Sequence, residues 1–403
     1  MRILFSHVNF PSQFRRLLPY LVSLGHDLVF ICRNHEWHAL DIPGVRVLKY
    51  NFHRRSHPYI HHYLKRFDNA VLEGQAVYRV AYSLKQEGWI PDIIVSHVGF
   101  GNGFYLKDCF PSSLRVGLVE WFYNSSDSDV DFLPPFSLST DQTLRLRTWN
   151  AECLLEISTL DKIIVPTHWQ KSQFPDFLQP SLLVLHEGVD FSNLSLLKSQ
   201  SQKAKTILLP QPQSRDTQIL TYVSRCFEEY RGFPQAIESI SILLEQRPNL
   251  HVFLVGSDGA AYGSPRSDGI PWSKWAKDTY YLPPDRVHWT GSISESKYHE
   301  ILSISDIHYY LTVPFVLSWS LLEAMSVGIP IVASNTPPVS EVISNNNSGL
   351  LVDFFDINQH VEAITNILDS KQLSDRLSSS AQKTAEAYSC QVSLDSWLSV
   401  LGL

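Results

Sequence analysis

Cysteine is scarce in this chain, and long apolar runs and an excess of positive charge are missing from it. The five cysteines among 403 residues form no Cys-x-x-Cys pair. This argues against a structural zinc site or a disulfide framework and is typical of reduced thiols in a cytoplasm. No run of about 18 apolar residues is present, so we predict no membrane-spanning helix. The formal net charge of -7 gives no electrostatic reason to expect nucleic-acid binding.

The length and composition of the chain indicate a globular protein with two domains. At 403 residues it is too long for one ordinary hydrophobic core. Its hydrophobic content of 44% and charged content of 18% are ordinary for a soluble globular protein. The chain enters a strand directly at Met1-Arg-Ile-Leu-Phe, with no apolar segment of a signal peptide. We therefore expect a cytoplasmic protein.

The first part of the chain has the pattern of a doubly wound α/β fold. A buried strand over residues 2–8, a helix over 15–24 and a second strand over 27–32 follow one another with short loops. This order opens a parallel sheet of that class. Ligands bind outside the carboxyl ends of such strands, so we expect the loop after the first strand to face a cleft, with Gln13 available for polar contact.

Two later strands of this sheet end in polar residues. His97 closes a predicted strand over 92–97 and precedes a glycine-rich turn, which would allow close approach of a ligand. Glu120 stands near the end of the next predicted strand, over 115–121. A lone histidine is more often structural, but its place at the end of a strand favours a role for His97 in the cleft.

The most basic segment of the chain is residues 53–66, which carries histidines, arginines and tyrosines. A solvated loop is the first interpretation. A patch for an anionic acceptor or a membrane surface is the second, since basic residues beside tyrosines can sit at a lipid interface. This second interpretation would place the protein peripherally at the inner face of the membrane. A histidine metal site is the least favoured, because no acidic or cysteine ligands accompany the histidines.

A polar, turn-rich stretch over 192–216 leads to a second sheet that begins near residue 219. Arg225 and Arg231 follow its first strand and precede a helix that starts near Pro234. Two guanidiniums in this position would make a clamp for a diphosphate. The alternative is a pair of ordinary surface arginines. The glycine-rich loop that begins at Gly256 is weak evidence for a nucleotide by itself.

The stretch 314–341 has the clearest pattern in the chain. A short apolar helix over 321–327 stops at Gly328, which suits a left-handed position just past a helix end. Glu323 is an acidic residue on that apolar helix, and its burial would be costly without hydrogen-bond donors. A ligand with hydroxyl groups would supply such donors. Spacing alone allows a second explanation, in which Ser320 and Glu323 form a capping box at the start of the helix.

This stretch resembles the donor-binding motif of the family 4 glycosyltransferases, which are retaining enzymes of the GT-B fold. The resemblance implies two Rossmann-like doubly wound parallel-sheet domains facing a cleft. It implies further that Glu323 holds the ribose of a nucleotide-sugar donor, and that backbone N–H groups of the loop before it bind the diphosphate. The remaining donor-binding candidates are in the same loop, at other strand ends and in the first domain: Ser318, Trp319, Ser320, Ser292, Gly256 and Gln13.

The resemblance also assigns the catalytic candidates. Arg225 and Arg231 would stabilise the departing diphosphate, with an arginine where the family has a lysine at 231. His97 and Glu120 would line the sugar side, with Glu120 roughly where many members of the family place a histidine. The implied enzyme is a retaining glycosyltransferase of hexosyltransferase type that needs no metal and no cofactor beyond its nucleotide-sugar substrate. Its acceptor would be a glycan, a lipid or a small molecule.

Two departures from the family pattern lie before Glu323. Phe315 occupies the position of a glutamate that usually contacts the donor sugar, and Leu317-Ser318 replaces a usual Phe-Gly pair. Two alternatives therefore stay open: a catalytically inactive protein that binds nucleotide sugars, and a GT-B nucleotide-sugar epimerase. The predicted organisation is an acceptor-side domain over 1–195, a linker over 196–216, a donor-binding domain over 217–388 and a C-terminal helix over 389–403 that crosses back to the first domain.

Overall fold

The computed structural model describes residues 1–34, 41–201, 204, 208–209 and 216–403. The contacts of the chain divide it into two compact units. The first unit consists of Met1–Gly188 together with Cys390–Leu403, and the second consists of Val189–Ser389.

The first unit is built on a seven-stranded parallel sheet with the order β3-β2-β1-β4-β5-β6-β7. Its central strands are apolar and buried, as expected for a parallel sheet that is covered on both faces. The strands are β1 (Arg2–Ser6), β2 (Asp27–Cys32), β3 (Val45–Lys49), β4 (Ile93–Val98), β5 (Leu114–Val119), β6 (Lys162–Val165) and β7 (Leu182–Val184). The helices that connect them are α1 (Leu17–Ser23), α2 (Lys65–Gln86), α3 (Leu106–Cys109), α4 (Thr140–Ile157) and α5 (His168–Ser172).

The second unit repeats this architecture with a six-stranded parallel sheet in the order β10-β9-β8-β11-β12-β13. Its strands are β8 (Gln218–Phe227), β9 (Leu250–Asp258), β10 (Val287–Gly291), β11 (Ile307–Tyr310), β12 (Ile331–Ser334) and β13 (Leu350–Val352). Its helices are α6 (Phe191–Leu194), α7 (Phe233–Gln246), α8 (Trp272–Thr279), α9 (Glu295–Ile304), α10 (Trp319–Val327), α11 (Pro337–Ser340), α12 (Ile357–Asp369) and α13 (Lys371–Glu386). The two sheets confirm the predicted pair of Rossmann-like domains.

The division between the units falls at Gly188, earlier than the predicted boundary after residue 195. The physical reason is that Val189 and Leu194 are buried in the core of the second unit, together with Leu321 of α10. The predicted linker over 196–216 lies partly outside the described residues, at 202–203, 205–207 and 210–215.

The last helix of the chain, α14 (Cys390–Leu401), belongs to the first unit. Trp397 and Leu401 are buried in the core that also contains Phe14. The rings of Trp397 and Phe14 meet edge to face, with centroids 6.2 Å apart. The hydrophobic core of the first unit therefore includes a helix that follows the whole second unit in the sequence.

Most of the basic segment 53–66 is exposed, as expected of a solvated loop, and it contacts the start of α4 near Tyr63. It contains a short 3-10 helix, His62–Leu64, and the Tyr63 hydroxyl donates a 2.6 Å hydrogen bond to Asp141 of α4. Tyr59 remains 90% exposed. Within the described residues, none of the helices combines the length and the apolar character needed to cross a membrane.

Candidate functional site

Three polar side chains meet at the carboxyl ends of adjacent strands in the first unit. His7 directly follows β1, His97 is the second-last residue of β4, and Glu120 directly follows β5. The Nε2 atom of His97 lies 3.3 Å from Oε2 of Glu120, and the rings of His7 and His97 meet at right angles with centroids 4.8 Å apart. The structure thus brings the predicted His97 and Glu120 together and adds His7.

The loop after β1 also reaches Glu120. Gln13 lies in a 3-10 helix, Ser12–Phe14, and its Nε2 donates a 2.9 Å hydrogen bond to Oε1 of Glu120. Burial raises the pKa of Glu120. The hydrogen bond and charge of His97 and the hydrogen bond from Gln13 lower it by more, so that the pKa is about 2. Burial and the neighbouring His97 lower the pKa of His7 to about 3. Near neutral pH the cluster therefore presents an ionised carboxylate and a neutral His7 imidazole.

A buried carboxyl group supports the glycine-rich turn that follows β4. Glu156 of α4 accepts a 3.0 Å hydrogen bond from the Ser96 hydroxyl, and its carboxyl group lies against Gly103 of the turn. A β-carbon on Gly103 would approach Glu156 Oε1 to 2.0 Å, so a larger residue there would displace the Glu156 carboxyl group. Burial raises the pKa of Glu156 to about 8, which favours its neutral form at neutral pH.

Arg231 is the central charged residue of the second unit's candidate site. It ends a 3-10 helix, Glu229–Arg231, just after β8, and it is only 4% exposed. Its Nη1 donates to the Tyr310 hydroxyl at 3.2 Å, to Thr312 Oγ1 at 2.8 Å and to the Val316 carbonyl at 3.1 Å. In the part of the chain that the structure describes, Arg231 forms no ion pair with a carboxylate.

The hydroxyl of Tyr310 connects Arg231 to the start of α10. It accepts the hydrogen bond from Arg231 and a second one, of 2.9 Å, from the backbone N–H of Ser318. Ser318 is the N-cap of α10, and its side chain accepts from the backbone N–H of Ser320. The predicted Arg231 and Ser318 therefore share one partner, and a buried guanidinium lies next to the positive end of a helix dipole.

The helix α10 begins at Trp319, so Ser320 lies inside it and cannot be its N-cap. The capping-box explanation of Glu323 is therefore wrong, because that box requires Ser320 in the cap position. Glu323 is 6% exposed and lies one turn into the helix, whose other residues are apolar or small. The local sequence stops the helix as predicted, since Gly328 adopts a left-handed conformation with φ of 78°.

Arg225 lies within β8 and not beyond its end, because this strand continues through a bulge to Phe227. Its side chain is exposed, and its guanidinium lies over the ring of Tyr262, 5.8 Å from the centroid. The guanidinium of Arg231 lies over the same ring at 4.9 Å. The two predicted clamp arginines thus converge on one aromatic side chain.

For Gly256 and Ser292, the structure shows no side-chain hydrogen bond to Arg225, Arg231 or the start of α10 among the described residues. A β-carbon on Gly256 would approach the carbonyl oxygen of Ser224 to 2.5 Å, so the close packing of β8 and β9 requires glycine there. Ser292 is exposed and follows β10, which is the edge strand of the sheet.

The sequence interpretation missed His7, Glu228, Tyr262 and Tyr310. For His7 a signal was present, because it stands at the carboxyl end of an apolar strand, as His97 does. Glu228 and Tyr262 carried no comparable signal, since their pairing depends on how the loop after β9 folds back onto the end of β8. In the described parts of both units, no group of three or more histidine, cysteine, aspartate or glutamate side chains could hold a metal ion.

Two family models match the chain, one over its first half and one over its second half. The model described as "Glycosyl transferase family 4 group" matches residues 24–194. The model described as "Glycosyl transferases group 1" matches residues 205–384. The chain therefore belongs to the family 4 group of glycosyltransferases, as the motif around Glu323 predicted.

Solved structures with the same fold cover nearly the whole chain. Sucrose-phosphate synthase from Thermosynechococcus elongatus has a TM-score of 0.70 at 18% identity, covering 99% of this chain and 98% of its own. The Anabaena protein HepE in complex with UDP-glucose has a TM-score of 0.68 at 16% identity, covering 100% and 99%. A glycosyltransferase from Rickettsia africae has a TM-score of 0.68 at 15% identity, covering 99% and 97%. These similarities confirm the GT-B fold.

A curated relative supports the same family. An uncharacterised glycosyltransferase of Haemophilus influenzae is 21% identical over 256 residues. The match covers 61% of this chain and spans 63% of the length of that relative.

Proposed function

We propose that this protein is a retaining glycosyltransferase of hexosyltransferase type that moves a sugar from a nucleotide-sugar donor to an acceptor. The donor would bind mainly to the second unit and the acceptor mainly to the first. The observation that carries the proposal is Arg231, a buried guanidinium without a carboxylate partner among the described residues. Burial of a guanidinium that no carboxylate contacts directly is costly, and an anionic ligand would offset that cost.

The surroundings of Arg231 fit a diphosphate. Arg225 supplies a second guanidinium, which lies over the same Tyr262 ring as that of Arg231. The start of α10 supplies backbone N–H groups near Ser318. In the reaction, the bond from the anomeric carbon to the diphosphate oxygen breaks and a bond to an acceptor hydroxyl oxygen forms on the same face, while the proton of that hydroxyl passes to the departing diphosphate. The negative charge that develops on the diphosphate would be stabilised by Arg225, Arg231 and these amides.

The remaining candidates take further roles, each within its own unit. Glu323 would accept hydrogen bonds from the ribose hydroxyls, with Trp319 and Ser320 beside it at the start of α10. His97, Glu120 and Gln13 would contribute polar contacts from the first unit. The choice of UDP as the first nucleotide to test is supported by HepE, whose structure was solved with UDP-glucose. No metal or further cofactor is part of the proposal, because the arginines take the charge-stabilising role.

The proposal is tested by calorimetry and by a turnover assay. UDP, GDP and ADP are titrated into the protein with and without EDTA, and the matching sugar nucleotides are then incubated with candidate acceptors. We expect one nucleoside diphosphate to bind at micromolar to millimolar concentration, equally well in EDTA, and its release from the sugar nucleotide to increase when acceptor is added. Absence of binding by all three would contradict the proposal.

A second candidate, a protein that binds nucleotide sugars without catalysis, is favoured by the environment of Phe315. This residue stands where the family has a glutamate, and its ring packs against Tyr230 at 5.7 Å and Tyr262 at 5.3 Å. The aromatic cluster replaces a sugar-binding carboxylate by apolar surface. Nucleotide binding without any release from sugar nucleotides, over a panel of acceptors, would support this candidate. An epimerase would instead convert the sugar nucleotide without releasing nucleotide.

A peripheral contact with a membrane through segment 53–66 would suit a lipid acceptor. The supporting observation is the 90% exposed Tyr59 beside the exposed Arg54 and Arg55. In that case the protein would work at the inner face of the membrane.

A further inference from the structure

A single aromatic ring lies against both arginines of the proposed diphosphate clamp. Tyr262 is in the loop after β9, and its ring centroid is 5.8 Å from Cζ of Arg225 and 4.9 Å from Cζ of Arg231. At these distances the negative face of a ring attracts a cation. Two guanidiniums repel each other when they share a site, so a ring that attracts both lowers the cost of holding them together.

The position of this ring is fixed by a buried carboxylate. Glu228 is 0% exposed, and its Oε2 accepts hydrogen bonds from the backbone N–H groups of Ala261 at 3.0 Å, Tyr262 at 3.1 Å and Gly263 at 3.0 Å. Three consecutive backbone amides that donate to one carboxyl oxygen hold this loop firmly against the end of β8. Glu228 lies between Arg225 and Arg231 in the sequence. The same short segment therefore carries both arginines and the anchor of the loop that covers them.

The two arginines depend on Tyr262 to different extents. Arg231 is buried, and its Nη1 makes three hydrogen bonds to β11 and the chain that follows it. Arg225 is exposed, and the contact of its guanidinium is with the Tyr262 ring. Loss of the ring would therefore release Arg225. Arg231 would also lose a contact with Tyr262, but its hydrogen bonds to β11 and the chain after it would keep it in place.

We propose that Tyr262, held by Glu228, is a positioning residue that orders Arg225 beside Arg231 before a diphosphate binds. The inference rests on the proposed function and identifies a residue of the same site that acts through Arg225. An exposed arginine that is free to rotate must lose side-chain entropy on binding, and stacking on a fixed ring removes that loss in advance. The ring face is the required feature, so phenylalanine should replace tyrosine and leucine should not.

The test is a double-mutant cycle read by calorimetry with UDP, GDP and ADP, using whichever of them the wild-type protein binds. The variants are Tyr262→Leu, Tyr262→Phe, Arg225→Ala and the double variant Tyr262→Leu/Arg225→Ala. We expect the Leu variant to bind the diphosphate about 3- to 10-fold more weakly and the Phe variant to bind almost as well as wild type. The double variant should bind no more weakly than Arg225→Ala alone, because Tyr262 acts through Arg225.

Two controls separate positioning from general damage. Tyr281→Leu changes a 50% exposed tyrosine elsewhere in the same unit and should leave binding unchanged. The matching nucleoside monophosphate should be less affected by Tyr262→Leu than the diphosphate. If the Leu variant does not fold, Tyr262→Ser, a polar change in a surface loop, replaces it in the cycle.

The inference is overturned if Tyr262→Leu binds as tightly as wild type or more tightly, since the ring would then be a bystander or an obstacle. It is also overturned if the effects of Tyr262→Leu and Arg225→Ala simply add. A wild-type protein that binds none of the three diphosphates would instead overturn the proposed function, and this inference with it.

Discussion

Arg231 is the residue at which a structural role and the proposed role in binding are hardest to separate. Burial lowers its pKa, but the Tyr310 and Tyr262 phenols and Glu228 raise it by more, so the guanidinium stays charged. Its Nη1 bonds to three oxygens that keep it in place. Lysine, which the family has here, offers a point charge and not a planar fork. An alanine at this position would therefore lower stability as well as binding, and cannot separate the two roles.

Glu323→Gln separates binding from stability more cleanly at the residue scale. Glutamine keeps the size of the side chain and an acceptor oxygen, but it no longer offers a charged acceptor to two ribose hydroxyls. We expect a folded variant whose affinity for the nucleoside diphosphate is lower by about 1.5–3 kcal/mol. Calorimetry measures the affinity, and urea unfolding measures the stability.

The matched control is Glu245→Gln, which changes an exposed carboxylate of the same unit on α7. It should alter neither measurement. A Glu323→Gln variant that binds as tightly as wild type would remove Glu323 from the proposed ribose site.

At the scale of secondary-structure elements, the sequence predicted the buried strands well and the exposed ones poorly. Strand β2 has the predicted bounds, because its apolar run is buried along almost its whole length. Strand β3 was missed, since it is half-exposed and carries Arg46 and Lys49 in place of an apolar run. Strand β8 continues past its predicted end through Arg225 and Cys226, because a bulge lets these polar residues stay in the sheet.

The residues of the candidate site also differ in how well the sequence predicts them. Residues whose role depends on a strand end, such as His97, could be predicted from the order of strands alone. The contact of Tyr262 with both arginines could not, because it depends on three amides of a loop that converge on Glu228. No local pattern of residues encodes that convergence.

Helix α4 and the turn after β4 are coupled through Glu156, and this predicts how stability depends on pH. The pKa of this buried carboxyl is raised from 4.5 to about 8. A raised pKa in the folded state means that the stability from this group is present at low pH and is lost as the pH rises towards 8. The loss has a slope of at most about 1.4 kcal/mol per pH unit.

Glu156→Gln replaces the neutral acid by a neutral amide that cannot ionise. We expect its unfolding free energy to fall less than that of wild type between about pH 6 and about pH 9. Urea unfolding at both pH values measures the difference, with Glu87→Gln, an exposed carboxylate of the same unit, as the control. An identical pH dependence in wild type and Glu156→Gln would contradict a neutral Glu156. Burial also raises the pKa of Glu152, to about 7. The unfolding free energy of both proteins should therefore keep some dependence on pH.

At the scale of the whole molecule, the chain leaves the first unit at Gly188 and returns to it at Cys390. The returning helix α14 is tied to the first unit by Trp397, which is 3% exposed, and by two hydrogen bonds. Ser393 donates to the His186 carbonyl at 2.7 Å, and Lys162 Nζ donates to the Val400 carbonyl at 2.5 Å. The core of the first unit is therefore complete only when the last residues of the chain are present.

Trp397→Ala should consequently destabilise the first unit while leaving nucleotide binding to the second unit intact. Removal of a buried tryptophan side chain costs about 3–5 kcal/mol, because it loses buried apolar surface and leaves a cavity against Phe14. Urea unfolding should show this loss, whereas calorimetry with UDP on the folded variant should give the wild-type affinity. Val392→Ala, on the same helix but at a 49% exposed position, should change neither. If Trp397→Ala is as stable as wild type, α14 does not complete this core. If it is destabilised and also binds UDP more weakly, the donor site does not depend on the second unit alone.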